Sequence, residues 1–159
     1  MPHAEFRPFA AARTRGHPAN MLQLDPAFLA TSHALGDLRL CHVRLQDDAR
    51  YPWLVLIPRG AGLREIEDLP AADRAVLMEE IVQVGQALRV LGEALGAPPE
   101  KLNVGALGNV TPQLHVHVVG RRRDDPAWPG PVWGHSPAET YAADELAYAT
   151  DTARRALGL

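Results

Sequence analysis

The chain reads as an α+β protein: a mostly antiparallel sheet of about five strands, a long helix packed against it, and a further helix at the C-terminal end. Three observations lead there. Apolar and polar residues alternate over residues 38–45 and 113–119, the two-residue period of a half-buried strand. Leu77, Ile81, Val84, Leu88, Leu91 and Leu95 step by four and three in alternation, which lays one apolar stripe along a helix. Strands and helices come mixed, with hairpin-like spacing and no regular strand–helix–strand rhythm, so the sheet is expected to be antiparallel.

The elements follow in order. Residues 1–20 hold His3, Pro8, Gly16, His17 and Pro18 without periodicity and read as a loose arm. A short helix is expected over 24–35, with Asp25 as N-cap, Pro26 at the first helical position and Gly36 as the stop. Residues 38–45 set Cys41, Val43 and Leu45 against Leu40, His42 and Arg44, and form a strand. Asp47 to Arg50 make a turn. The unbroken apolar run from Trp53 to Ile57, closed by Pro58, is a central strand buried on both faces.

The striped helix runs from about Pro70 to Leu95, opened by a proline and stopped by Gly96-Ala97-Pro98-Pro99. Val76, Val82 and Val90 lie partly off its stripe, so the helix is covered on more than one side, as a partner subunit would do. Residues 102–107 make a strand that turns around Gly108-Asn109 into the next, an antiparallel hairpin. Residues 126–134, with Pro126, Pro129 and Pro131, are loop or edge strand. Ser136-Pro137-Ala138-Glu139 has the pattern of a capping box and opens a last helix to about Leu157, with Arg154 and Arg155 in its final turn and Gly158 behind it. This divides the chain into an arm (1–20), a main domain (21–134) and a helical extension packed on it (135–159).

The totals narrow the function. A length of 159 residues suits one domain with a sizeable core. The net charge of −3 argues against a nucleic-acid-coating protein. One cysteine, Cys41, leaves no internal disulfide, and it reads as a small core residue. No apolar run approaches the ~20 residues of a membrane span. Arg7, Arg13 and Arg15 precede no apolar stretch, so no secretory signal is read and a cytoplasmic location is expected.

The stretch Asn109-Val-Thr-Pro-Gln-Leu-His-Val-His-Val-Val-Gly120 carries the chemistry. On a strand, Leu114, Val116 and Val118 face a core while Gln113, His115 and His117 leave the opposite face, roughly 7 Å apart. Two imidazoles and an amide in a row suit a metal site or a phosphate-handling site; the plainer reading is a solvent-facing strand. His33, His42 and His135 read as helix-surface, strand and loop histidines without a site role. Arg121, Arg122 and Arg123 read as a solvated loop balanced in part by Asp124 and Asp125, and otherwise as an attractor of phosphates.

Gln113-Leu-His-Val-His-Val-Val resembles the histidine-triad (HIT) signature, His-φ-His-φ-His-φ-φ with φ apolar, with Gln113 in place of the first histidine. The resemblance covers roughly residues 22–134 and includes Asp47 to Arg59, similar to the family's strand ending in apolar-Pro-Lys/Arg. It implies a HIT-like fold, a homodimer whose sheets adjoin, and transfer or hydrolysis of nucleotidyl groups on phosphoramidates or dinucleoside polyphosphates. On this register His115 is the nucleophile, attacking an α-phosphate to give a nucleotidyl-imidazole. His117 donates to a phosphate oxygen or protonates the leaving group. Gln113 can orient but cannot carry a proton.

The resemblance also assigns binding residues. Asp47 or Asp48 takes the ribose hydroxyls, Asn103 and the loop residues Asn109 and Thr111 the phosphates, and Trp128-Pro129-Gly130 is similar to a tail that completes a partner's site. Several members have a histidine where Trp53 stands, supporting the first triad histidine, so both changes look coordinated. The covalent step is expected to need no cofactor and no metal ligand set, with a divalent cation at most accompanying the substrate phosphates. Two other classes remain: a His-x-His metalloenzyme, for which no further convergent donor is evident, and a non-catalytic nucleotide sensor.

Overall fold

The computed structural model describes residues 23–159, and the arm expected over 1–20 lies outside them. Helix α1 (Pro26–Thr31) starts as its sequence dictates. The Asp25 carboxylate accepts from the Ala27 N–H at 2.9 Å and Pro26 occupies the first turn. It ends well before Gly36. Thr31 and Ser32 turn their hydroxyls back onto the carbonyls of Ala27 and Phe28, at 2.8 and 2.5 Å. From there the chain pairs as strand β1 (Ser32–Asp37) with β2 (Cys41–Gln46). Gly36 is not a helix stop but part of a bulge, where the register shifts and its φ of 153° suits a residue without Cβ. His33, expected on a helix surface, is therefore a strand residue.

Strand β3 (Trp53–Pro58) is buried along its whole length, as an unbroken apolar run requires. Helix α2 (Ala71–Ala94) carries the striped face, and β4 (Lys101–Gly105), β5 (Val116–Arg121) and α3 (Ala143–Leu157) follow. The sheet order is β1-β2-β3-β5-β4, antiparallel throughout, so the last strand in sequence is inserted between β3 and β4. Helix α2 carries the chain across the sheet to β4 and leaves the gap that β5 fills. The β4–β5 turn is longer than a tight hairpin: the ladder begins at Val116, and residues 113–115 enter it as irregular chain.

The sheet has a core on each face. Val43, Leu45, Leu54, Leu56, Leu114, Val116 and Val118 pack against Leu77, Val84, Leu88 and Leu91 of α2 and Ala149, Ala153 and Leu157 of α3. At about 1.5–3 kcal/mol per fully buried large apolar side chain, this layer supplies most of the drive to fold. The other face holds a smaller cluster of Phe28, Tyr51, Trp53, Val55, Ile57, Val119, Ala127 and Val132.

The C-terminal helix departs from its expected start. Ser136-Pro137-Ala138-Glu139 forms no capping box, because Arg50 takes it. Its guanidinium donates to Ser136 Oγ at 2.6 Å and to the Pro137 carbonyl at 3.0 Å, and the Ala49 N–H donates to the Glu139 carbonyl at 2.7 Å. The helix opens at Ala143 with Asp144 and Glu145 in its first turn. Its end agrees with the sequence: Arg154 and Arg155 occupy the last turn and Gly158 adopts a left-handed φ of 77°.

A buried carboxylate fixes α2 to the first hairpin. Glu80 accepts from the Leu40 N–H at 2.6 Å and the Cys41 N–H at 2.9 Å. Cys41 itself is fully buried, and burial, reinforced by Glu80, holds its thiol protonated. Replacing Glu80 by Ala leaves two backbone donors without their acceptor. We expect Glu80→Ala to lower stability by about 2–4 kcal/mol in denaturant titration, with Glu80→Gln losing less.

Candidate active site

Along β5 the alternating side chains that avoid the helices are His117, Val119 and Arg121, and His115 continues the series just before the ladder. Val55 pairs with His117 from β3 and Gly105 from β4. At Gly105 a Cβ would come within 3.1 Å of the Trp133 ring, so the missing side chain lets that indole lie close to the sheet. The histidine rings meet edge to face with centroids 4.8 Å apart, and Phe28 meets His115 at 5.0 Å. Both rings line a cavity of about 490 Å³.

Hydrogen bonds settle which nitrogen of each ring carries a proton. His115 Nδ1 lies 2.7 Å from the Gln113 carbonyl oxygen, which can only accept. The Nδ1 therefore bears the proton, and in the neutral ring Nε2 keeps its lone pair. His117 is the reverse case. The Trp53 indole Nε1–H donates to His117 Nδ1 at 3.0 Å, and an indole can only donate. The proton of His117 sits on Nε2. Burial, with His115 adding to it, pushes the His117 pKa down to about 3, so the ring is a neutral donor.

Of the residues singled out from the sequence, Asp48, Asn109 and Thr111 line this cavity with the two histidines. The Asp48 carboxylate is buried and held bidentate by Arg50, at 2.8 and 2.7 Å. Asp47 is turned away: it accepts from the Tyr141 N–H at 3.0 Å and lies 3.1 Å from His33 Nε2. Asn103 does not reach the cavity either, because its Oδ1 accepts from Arg121 at 2.8 Å. Arg121 is no loop cation but a buried strand residue, paired with Asp125 at 2.8 Å and donating to the Gly130 carbonyl.

Gln113 is the largest departure. Its side chain does not join the histidine face. Oε1 accepts from the Asp25 N–H at 2.8 Å and Nε2 donates to the Gln23 carbonyl at 3.2 Å. It lines a separate cavity of about 550 Å³ with Gln23, Asp25, Gly62 and Arg64. The physical reason is that residue 113 precedes the ladder, so strand alternation does not fix its direction. Trp128, which the resemblance assigns to a partner's site, does not line this chain's own cavity. It stacks over the Arg121 guanidinium at 5.8 Å, while Trp133 stands 5.7 Å from the His117 ring.

The cavity walls include Phe28, Thr31, Gln46, Trp133 and Ser136, which sequence reasoning did not single out. Gln46 could have been found, since it extends the alternation of His42 and Arg44 by one step. Nothing local separates Trp133 from Trp128. Among the described residues, no three side chains of His, Cys, Asp or Glu converge as metal ligands would.

Comparison with known proteins places the chain in a family. A HIT domain model matches residues 28–124. The chain is similar to the solved structure of a histidine triad protein from Sinorhizobium meliloti 1021, at 40% identity and a TM-score of 0.77, over 85% of this chain and 96% of that one. It is as similar to histidine triad proteins of Bradyrhizobium japonicum and Marinobacter aquaeolei VT8, each at 40% identity and a TM-score of 0.79. Those two matches cover 86% and 87% of this chain, and 98% and 97% of theirs. The search among curated proteins returned no match. The matched segment spans more than half of the chain, and the relatives are aligned over nearly their whole length: this chain belongs to the HIT domain family.

Proposed function

We propose that the chain hydrolyses or transfers nucleotidyl groups, attacking the α-phosphate of a nucleotide conjugate with His115. The observation that carries this is the hydrogen bond from His115 Nδ1 to the Gln113 carbonyl, which leaves Nε2 as a free nucleophile on a ring lining the cavity. In the first step Nε2 forms a bond to phosphorus while the bond to the leaving group breaks, its electron pair going with the leaving group. In the second, water oxygen attacks phosphorus, the pair returns to Nε2, and the surplus proton stays on the nucleotide phosphate. His117 Nε2–H donates to a phosphoryl oxygen and offsets the charge that builds there.

The cavity volume lies in the ~300–1,000 Å³ range of small-molecule sites. Phe28, Leu107, Val132 and Trp133 give it apolar walls for a base, and Asp48 and Gln46 offer acceptors to ribose hydroxyls. Asn109 and Thr111 lie in the loop that leads to the histidines and serve the phosphates. No step requires a cofactor, and a divalent cation can enter with the substrate phosphates. We place the protein in the cytoplasm; no helix among the described residues is long and apolar enough to cross a membrane.

A homodimer belongs to the same reading. Strand β4 is an edge of the sheet and exposes Val104, while α2 exposes Met78, Val82 and Val90. A second copy adding its own β4 there would pair free backbone groups and cover apolar surface. Native mass spectrometry at micromolar concentration is expected to give the dimer mass, and a monomer would remove this part of the proposal.

For the chemistry, intact-mass spectrometry after mixing with nucleoside phosphoramidates and dinucleoside polyphosphates should show a nucleoside-monophosphate adduct. His115→Ala and His115→Asn should abolish the adduct and cut turnover by on the order of 10⁴. His117→Ala should cost roughly 10², the loss of one charge-stabilising donor. Turnover retained in His115→Ala would end the proposal; tight nucleoside-monophosphate binding without turnover would mark a sensor.

A further inference from the structure

We infer that this site lacks a proton donor for the leaving group, and that its substrates are nucleotide conjugates whose leaving group departs as a stable anion, such as a phosphate, polyphosphate or acidic phenol, in preference to an amine or alkoxide. The inference rests on the nucleotidyl-transfer reading above and narrows it. Its ground is an inventory of protons. Among the described residues lining the cavity, the titratable side chains are Asp48, His115 and His117.

None of the three can act as the acid. Asp48 is a buried carboxylate whose two oxygens both face the Arg50 guanidinium, at 2.8 and 2.7 Å, so protonating it would break a bidentate ion pair. His115 is the nucleophile; its single N–H faces the Gln113 carbonyl, and its Nε2 is consumed by phosphorus. His117 has one proton, on Nε2. Surrendering it would leave an imidazolate, and recruiting a second would put an N–H at Nδ1 head-on against the Trp53 N–H 3.0 Å away. Gln113, besides having no acidic proton, is turned into the other cavity.

Trp53 is therefore a positioning residue. It acts through His117, and it is itself fixed in the buried cluster by edge contacts with Tyr51 at 6.4 Å and Trp133 at 6.2 Å. The groups packed around His117 reinforce the neutral ring. Just before β5 its neighbour is His115; β3 presents Trp53 and Val55, β4 presents Gly105, and the loop presents Trp133. No carboxylate among these faces it, so nothing there favours an imidazolium.

The consequence is visible in the first step. When Nε2 bonds to phosphorus, the departing group keeps the electron pair and receives no proton from the protein. A phosphate or a phenolate holds that pair readily. An amine departs only after its nitrogen has been protonated, and general-acid help for that step, usually about 10²–10⁴ in rate, is missing.

Two measurements on the full chain test this. In the first, one nucleoside carries a series of α-phosphoryl leaving groups: p-nitrophenol, pyrophosphate, an aliphatic alcohol and an aliphatic amine. kcat/KM is expected to fall steeply as the leaving group becomes more basic, with the amine at least about a hundredfold below the aryl ester. A flat series would overturn the inference and leave the nucleotidyl reading standing; absence of adduct and turnover with every conjugate would take down both.

The second measurement reads His117 directly. Nitrogen-15 NMR of the imidazoles should show His117 neutral with its proton on Nε2 across about pH 5–8. An imidazolium or an Nδ1–H tautomer in that window overturns the inference. In Trp53→Phe, which removes the donor and leaves the burial that keeps the ring neutral, the Nδ1–H tautomer of His117 should become detectable beside the Nε2–H form; a tautomer unchanged from the native protein would overturn the positioning role of Trp53.

Discussion

Everything at the site depends on β5 being held between two strands while its side chains alternate between two different environments. Val116 and Val118 are driven into the layer shared with α2 and α3. That burial leaves His117, Val119 and Arg121 no choice of face, because a slip of one residue would exchange the two sets and bury the imidazole among leucines. The insertion of β5 between β3 and β4 supplies a ladder on both sides, so the hydrophobic drive of one face sets the aim of the polar groups on the other. Gly120 tightens the same constraint, since a Cβ there would meet Pro99 at 2.7 Å and Leu88 at 2.8 Å.

The parts of this fold legible in the sequence are those governed by period. The striped helix, the buried central strand and the histidine alternation each announce themselves because many residues repeat one pattern. The errors fall where a few local bonds decide. Residues 32–37 look like the tail of a helix opened by Asp25, yet the bulged pairing with β2 claims them. Ser136 to Glu139 look like a cap, yet Arg50, far away in sequence, engages them. Arg121 looks like one of three surface cations, but its partner Asp125 follows at the spacing that lets both be buried together.

At the site the same division holds. The shared face of His115 and His117 was readable from alternation, whereas Asn109 and Thr111, which also line the cavity, were pointed to only by the family resemblance. Gln113 was misread because periodicity was extended past the point where the ladder begins. Its side chain instead fastens the segment before α1 to the base of the histidine loop. The carbonyl of that same residue is what fixes the nucleophile, a role that no side-chain pattern could reveal. Trp53 shows the converse. Its unusual identity was visible in the sequence, but its contact with His117, rather than with residue 113, was not.

The Arg50 fork has an architectural consequence. One guanidinium joins the Asp48 carboxylate to Ser136 and the Pro137 carbonyl, and Asp48, Ser136 and Ala138 all form part of the cavity wall. The segment that matches the family ends at residue 124. A fragment trimmed to that boundary would leave the imidazoles in an open trough, without Ser136, Ala138 and the indole of Trp133, and would lose with α3 part of the core that backs the sheet.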